Sequence, residues 1–326
     1  MSRIAGVAVA LVATSSVVSF PASGQELQPA AGRPPSEGQR VVFVTGSTGG
    51  LGREVARSLA ARGDHVVVHG RSVERGVELV AEIEAEGRGS ARLYLADFGS
   101  FDAVRSLAWA IQRDYDRLDV LVNNAGIWLE GPRQLSDDGN ELHFQVNYLS
   151  SFLLTRELLP LLRSSAPSRI VHVSSIAQQP IDFGNIMLED GYSDGRAYAQ
   201  SKLAQIMLTF DLAEELAESG VTTNAVHPAS MMDTDMVLER GARARSSVHD
   251  GVDSVMNLID GDDLGTGGYF NQSTPTRANP QAYDEQARKR HAKAVDAEMD
   301  RMIMDAGQLA NWAGSDTAPG TTPDDQ

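Results

Sequence analysis

Val41-Val42-Phe43-Val44-Thr45-Gly46-Ser47-Thr48-Gly49-Gly50-Leu51-Gly52 is an apolar, β-branched run that breaks into a glycine-rich turn. Beyond it the chain takes up helical spacing to Ala61, so the segment reads strand, tight turn, helix. Glycines let the backbone of such a turn approach a pyrophosphate closely, and the helix start supplies free N–H donors and the positive end of its dipole. Two spacings fit: TGxxxGxG through Gly46, Gly50 and Gly52, or TGxxGxxG through Gly46, Gly49 and Gly52. Ser47, Thr48 and Leu51 lie in the same turn and join the glycines as candidate cofactor-binding positions.

Outward from this turn the same alternation continues. Strands are expected at Arg40–Thr45, His65–His69, Arg92–Leu95, Leu118–Asn123, Arg169–Ser174, Thr222–Val226 and Gly268–Asn271. Helical patterns fill the gaps, among them Gly52–Ala61, Phe101–Asp114, Phe152–Leu162 and Ala197–Glu218. Short, near-continuously apolar strands alternating with helices predict an α/β fold, a doubly wound parallel sheet of seven strands in a single domain. Ligands of such sheets sit at the carboxyl ends of the strands, so chemistry is sought just after each one.

After the second strand stands His69-Gly70-Arg71-Ser72. An NAD site usually carries a carboxylate here, on the ribose 2′-hydroxyl; a guanidinium suits the 2′-phosphate of NADP instead. Arg71 therefore predicts NADP, unless it is an ordinary solvated arginine. The fourth strand runs into Asn123-Asn124-Ala125-Gly126 and the fifth into Val173-Ser174-Ser175. A later helix carries Tyr198-Ala199-Gln200-Ser201-Lys202, whose tyrosine and lysine are four apart and share a helical face. An unperturbed phenol titrates near 10. A neighbouring ammonium and a nicotinamide cation favour the phenolate, and the group can then exchange a proton with an alcohol or carbonyl.

With these motifs in this order, the chain resembles the short-chain dehydrogenase/reductase family, single-domain branch, over roughly Arg40 to Asn271. The resemblance implies a Rossmann fold with Tyr198 as general acid/base and Lys202 lowering its pKa while holding the nicotinamide ribose. It implies Ser175 on the substrate oxygen, and Asn147, in Phe144-Gln145-Val146-Asn147, supporting a water relay to Lys202. It further implies Asp97 and the adjoining Phe98 at the adenine, Asn124, Ala125 and Gly126 near the cofactor, and Pro228 beside it. TGSTGGLGREVARSLA, Arg71 and Ala225-Val226-His227-Pro228 look closest to the retinol dehydrogenase-like branch and its bacterial members. One departure stands out: the common Pro-Gly is here Pro228-Ala229, and Thr234 falls one residue later than the usual carboxamide-binding threonine. The implied activity is NADP(H)-dependent hydride transfer to a carbonyl or from an alcohol, on a hydrophobic, retinal-like substrate. A nucleotide-sugar epimerase and a non-catalytic NADP(H)-binding regulator are the competing readings. The four catalytic positions Asn147, Ser175, Tyr198 and Lys202 are all filled as the family requires.

Composition sets outer bounds. The 326 residues carry 44 acidic and 28 basic side chains, a net charge of −16 that argues against a nucleic-acid partner. With no cysteine there is no disulfide framework, thiolate metal site or thiol nucleophile. No metal is expected: His65 and His69 have no third ligand in view. Residues 1–24 have the order of a signal, a basic start, an apolar stretch and small residues. They read as an export signal, a membrane anchor or an over-long start. Because NADPH is a cytoplasmic cofactor and no twin-Arg pair is present, the cytoplasm is favoured, with membrane association through the N-terminus and export as the alternative. Residues 25–39 read as a linker, 40–300 as the domain with a C-terminal extension, and 301–326 as a partly disordered tail. Phe183, Ile186, Met187, Leu188 and Tyr192 are placed either at the substrate or in ordinary packing. Met231, Met232 and Met236 lie where a lid would be, and the stretch from Thr274 to Arg290 closes either the pocket or a homo-oligomer contact.

Overall fold

The computed structural model describes residues 27–313, with side chains described from 27 to 299. In chain order the first half runs β1 (Ala31–Gly32), β2 (Val41–Val44), α1 (Gly50–Ala61), β3 (His65–Gly70), α2 (Val73–Glu86), β4 (Ser90–Leu95), α3 (Phe101–Asp114) and β5 (Val120–Asn123). A short α4 (Leu142–Phe144) passes through a π-helical turn, Gln145–Leu149, into α5 (Ser150–Ser164), and β6 (Ser168–Val173) follows. The second half runs α6 (Asp194–Glu215), β7 (Val221–His227), α7 (Asp235–Leu238), α8 (Val248–Asp260), β8 (Gly268–Asn271), β9 (Thr274–Pro275) and α9 (Glu285–Ala313).

Among the described residues nine strands join one sheet in the order β1-β4-β3-β2-β5-β6-β7-β8-β9. The seven central strands are parallel; β1 and β9, two residues each, add antiparallel at the rims. The expected seven-stranded core is thus present, with two short edge strands added. Strand order reverses between β2 and β5, whose paired residues Val42↔Val120 and Val44↔Val122 put the glycine turn and Asn124 side by side at the switch point.

Burial explains the elements. The VVFV of β2 is buried on both faces, as a central parallel strand must be. Helix α1 buries Leu51, Val55, Ala56 and Leu59 on the layer shared with α2 and α8. Helix α3 is capped by Ser100, which accepts from Ala103 N, and buries Phe101, Val104, Leu107 and Ile111 on the opposite layer with α5 and α6. Helix α6 is buried on almost every side from Ala197 to Leu212, which immobilises the segment holding Tyr198 and Lys202.

Several expectations about the ends change. The segment expected as a linker packs onto the domain: Leu27 is buried in the core, Ala31–Gly32 pair with Leu93 and Arg92, and Arg33 reaches Glu84 at 2.6 Å. Its prolines and glycines permit this, since only two residues need a ladder. Helix α9 continues past residue 300 to Ala313. The signal-like residues 1–24, and the tail from Gly314, lie outside the described residues. Among the described residues no helix is long and apolar enough to cross a membrane.

Candidate active site

The carboxyl ends of the parallel strands open into one cavity of about 520 Å³ that runs from the glycine turn to the lid formed by residues 228–247. Thirteen of the seventeen predicted site residues fall into two groups on its wall. The first is Gly46, Thr48, Gly50, Leu51, Gly52, Arg71, Asp97 and Phe98; the second is Ala125, Gly126, Ser175, Tyr198 and Lys202. Asn124 and Pro228 line it as well, whereas Ser47 and Asn147 stand behind the wall.

The turn is held open by its neighbours. Gly46 has φ +64°, and a Cβ there would come within 2.8 Å of Ala125 Cα. At Gly52 a Cβ would meet Asn124 Nδ2 at 2.4 Å and Gly46 O at 2.5 Å. Gly50 has φ +51°, while Gly49 is extended and open, so the required spacing is TGxxxGxG. Thr45 Oγ1 accepts from both Asn124 N and Ala125 N at 3.0 Å, and Asn124 Nδ2 donates to Thr45 O at 2.8 Å. Ser47 is buried: its hydroxyl accepts from His69 N, and its own N–H donates to His69 O. Ser47 therefore braces the turn from behind, and Asn124 braces it while lining the cavity.

His69 is a site residue that sequence reasoning left aside. Its Nδ1 accepts from Gly46 N at 3.1 Å, Nε2 meets Ala96 O at 3.2 Å, and Phe98 stacks on its ring at 4.6 Å. Burial pushes it down to about 4, which keeps the ring neutral and able to accept. His65 is engaged elsewhere, with Ser90 and Tyr115, so the two histidines serve separate contacts.

This end fits a dinucleotide phosphate. At Gly46 and Gly52 a Cβ would collide with fixed neighbours, and α1 carries no acidic residue in its first turn to compete for its N–H groups. Arg71 is 64% exposed and meets Asp97 Oδ2 at 3.4 Å. Arg75, one helical turn further on, lines the same cavity, and its guanidinium reaches Asp235 on α7 at 3.2 Å. The i, i+4 spacing from Arg71 was the available signal for it.

At the catalytic end, Ser175 follows β6, and its hydroxyl accepts from Ala177 N at 3.1 Å. Ser175 and the Tyr198 phenol line the same cavity. Burial pushes the phenol above its usual range; Ser175 and the Arg240 cation pull the other way. Lys202 Nζ donates to Val173 O at 2.9 Å and Gln205 Oε1 at 3.1 Å, leaving one donor uncommitted, and stands 5.7 Å from the Tyr198 ring centre. With no carboxylate beside it, burial takes its ammonium down to about 7. Two cations thus stand near the phenol, Lys202 over its ring and Arg240 beyond Trp128.

Asn147 sits in the π-helical turn, a local widening often found at functional positions and not visible in the spacing of residues. Its Oδ1 accepts from Ile127 N at 2.7 Å, and Nδ2 donates to Ile127 O and Ser201 Oγ. The side chain ties the end of β5 to α6 and makes no direct bond to Lys202. Around the lid, Ile176, Trp128, Met231, Met232, Met236 and Val237 form an apolar wall, with Thr234 among them. Phe183, Ile186 and Met187 instead pack on the core beside buried Leu188, and none lines the cavity. The C-terminal stretch packs on α6, through Tyr283 against Phe210 and Arg288 to Asp211 at 2.6 Å, away from the cavity.

The chain and its fold have counterparts among known proteins. The short chain dehydrogenase family profile matches residues 40–244. Retinol dehydrogenase 11 of Homo sapiens is 42% identical over 195 residues, 59% of this chain and 61% of that protein. Retinol dehydrogenase 12 of Homo sapiens is 41% identical over 192 residues, 58% of this chain and 60% of the relative. The matched region thus spans under two thirds of either relative. A crystal structure of an uncharacterized protein from Mycobacterium paratuberculosis superposes with a TM-score of 0.67 at 27% identity, covering 83% of this chain and 98% of the other. A short chain dehydrogenase from Shigella flexneri complexed with NADP gives 0.58 at 26% identity, covering 72% and 96%.

Proposed function

The chain belongs to the short chain dehydrogenase family, and from that premise we propose that it is an NADP(H)-dependent oxidoreductase acting on an apolar carbonyl or alcohol. The observation that carries this reading is a single cavity with the glycine turn and Arg71 at one end and Ser175, Tyr198 and Lys202 at the other.

Arg71 and Arg75 would hold the 2′-phosphate, and the backbone of Gly46–Gly52 with the α1 N-terminus would hold the pyrophosphate. The uncommitted proton of Lys202 would reach the ribose. Bound at this site, the nicotinamide supplies or accepts the hydride. In the reductive direction Tyr198 Oη gives its proton to the substrate oxygen while Ser175 Oγ donates a hydrogen bond to the same atom. A phenol kept protonated by burial is suited to that role at neutral pH. In the oxidative direction Tyr198 accepts the alcohol proton. Asn147 holds the β5 end against α6, so that Gly126, within about 3.5 Å of Lys202 Nζ at its absent Cβ, keeps the cavity floor clear. The apolar lid wall favours a hydrophobic carbonyl, and relatives named retinol dehydrogenases support a retinal-like substrate.

The test is NADPH consumption by the full chain against retinal-like, steroid, quinone and small aldehyde carbonyls, with Tyr198→Phe alongside. Turnover in the variant should fall by about 10²–10⁴-fold while NADPH fluorescence titrations stay as in the native protein. Turnover retained by Tyr198→Phe removes the assignment.

A further inference from the structure

Arg240 lies two residues beyond α7, and its side chain is 16% exposed. Its guanidinium carbon stands 3.9 Å from the centre of the Trp128 indole. The same indole stacks on the Tyr198 ring, with 4.7 Å between centres and 18° between planes. Two flat groups so close to one ring centre overlap if they share a face, so guanidinium and phenol lie on opposite faces of the indole. Trp128 Nε1 is buried without a hydrogen-bond partner, so the ring is held by its two faces rather than by its own N–H. Arg240 also donates to Trp128 O at 3.3 Å and meets Glu130 at 3.0 Å and Asp194 at 3.3 Å. Asp194 opens α6, one turn before Tyr198. One side chain therefore joins the lid, the loop after β5 and the helix bearing the tyrosine.

Resting on the reading of Tyr198 as the acid/base group, we propose that Arg240 is a positioning residue for the reaction. It clamps Trp128 flat on Tyr198 beneath the lid and keeps a fixed cation behind the phenol. None of the other side chains facing this phenol keeps its charge up to the pH at which a buried phenol titrates. Lys202, from α6 itself, is brought to about 7 by burial. His227, at the end of β7, is brought down to about 4 by burial, and Tyr269 on β8 is pushed up to about 12. Ser175 is a hydroxyl. A guanidinium keeps its charge through this range, and of the charges in this cluster, Arg240, Glu130 and Asp194, it is the one stacked on the indole that covers the phenol.

The experiment follows the ionisation of Tyr198 directly in NADP⁺-loaded, ¹³C-tyrosine-labelled protein by NMR, the signal being assigned by its loss in Tyr198→Phe. Arg240→Gln should titrate higher than the native protein by roughly half a pH unit or more. Arg240→Lys, which keeps the charge, should titrate within that interval. Coincident native and Arg240→Gln curves overturn the proposal, as does Arg240→Lys tracking Arg240→Gln. If Arg240→Gln does not fold, Glu130→Gln carries the test, since Glu130 is 60% exposed. Removing that counter-charge should shift the titration down, and no shift overturns the proposal. None of these readings needs turnover, so an inactive or Tyr198-independent enzyme would fail the functional reading without moving this result.

Discussion

The two ends of the cavity are built by different means. The glycine-turn end is made of backbone: strand ends, the α1 N-terminus and main-chain hydrogen bonds to Thr45, Asn124 and His69. The lid end is made of side chains that meet across the chain, Arg240 to Asp194 and Glu130, and Arg240 on Trp128. At Gly46 and Gly52 the backbone tolerates no added atom, whereas side-chain contacts can be weakened one at a time. Substitutions at the first end should act as all-or-none changes, and those at the second as graded ones.

The largest effect is expected from Gly52→Val. Its Cβ would collide with Asn124 Nδ2 and Gly46 O, both fixed, so NADPH affinity should fall by about 100-fold or more. Near-native affinity by fluorescence titration would break the contrast between the two ends. A smaller and more selective loss is expected from Arg71→Glu, a side-chain change at the backbone-built end. NADPH should weaken by roughly 10–100-fold and NADH by much less. Equal losses for the two cofactors would take Arg71 out of the 2′-phosphate site.

The smallest effect is on stability. Lys202 is about 7 when folded, against about 10.4 for an unfolded lysine, so between these values the unfolded chain binds the extra proton. Stability therefore rises with pH across that window, and the cost of the buried ammonium is fully present below it. Lys202→Met should be more stable than the native protein by about 1–3 kcal/mol at pH 7, with the gap closing towards pH 10. A difference in urea midpoint that does not change with pH would show that Lys202 is not strained by burial.

The contrast also explains what could be read from the amino-acid sequence. Parallel strands such as VVFV, the glycine turn, and the tyrosine and lysine four apart are local patterns, and each lies where its local pattern predicts. Trp128, Arg240 and His69 act through partners 70, 42 and 23 residues away, at Tyr198, Tyr198 and Gly46, and no local pattern announces such pairs. The π-helical turn at Asn147 depends on a backbone adjustment among buried residues, invisible to periodicity. The segment before β2 shows the converse. Its composition is that of a linker, but two residues of pairing and one buried leucine suffice to hold it.

Those two residues, Ala31–Gly32, and their counterparts Thr274–Pro275 also set how the sheet meets its surroundings. Each lies antiparallel across a rim, over β4 on one side and β8 on the other. A foreign strand approaching either rim finds a stub two residues long, one ending in glycine and the other in proline, instead of a full row of open amides. The longer strands behind them are thereby shielded from templated growth into cross-β stacks.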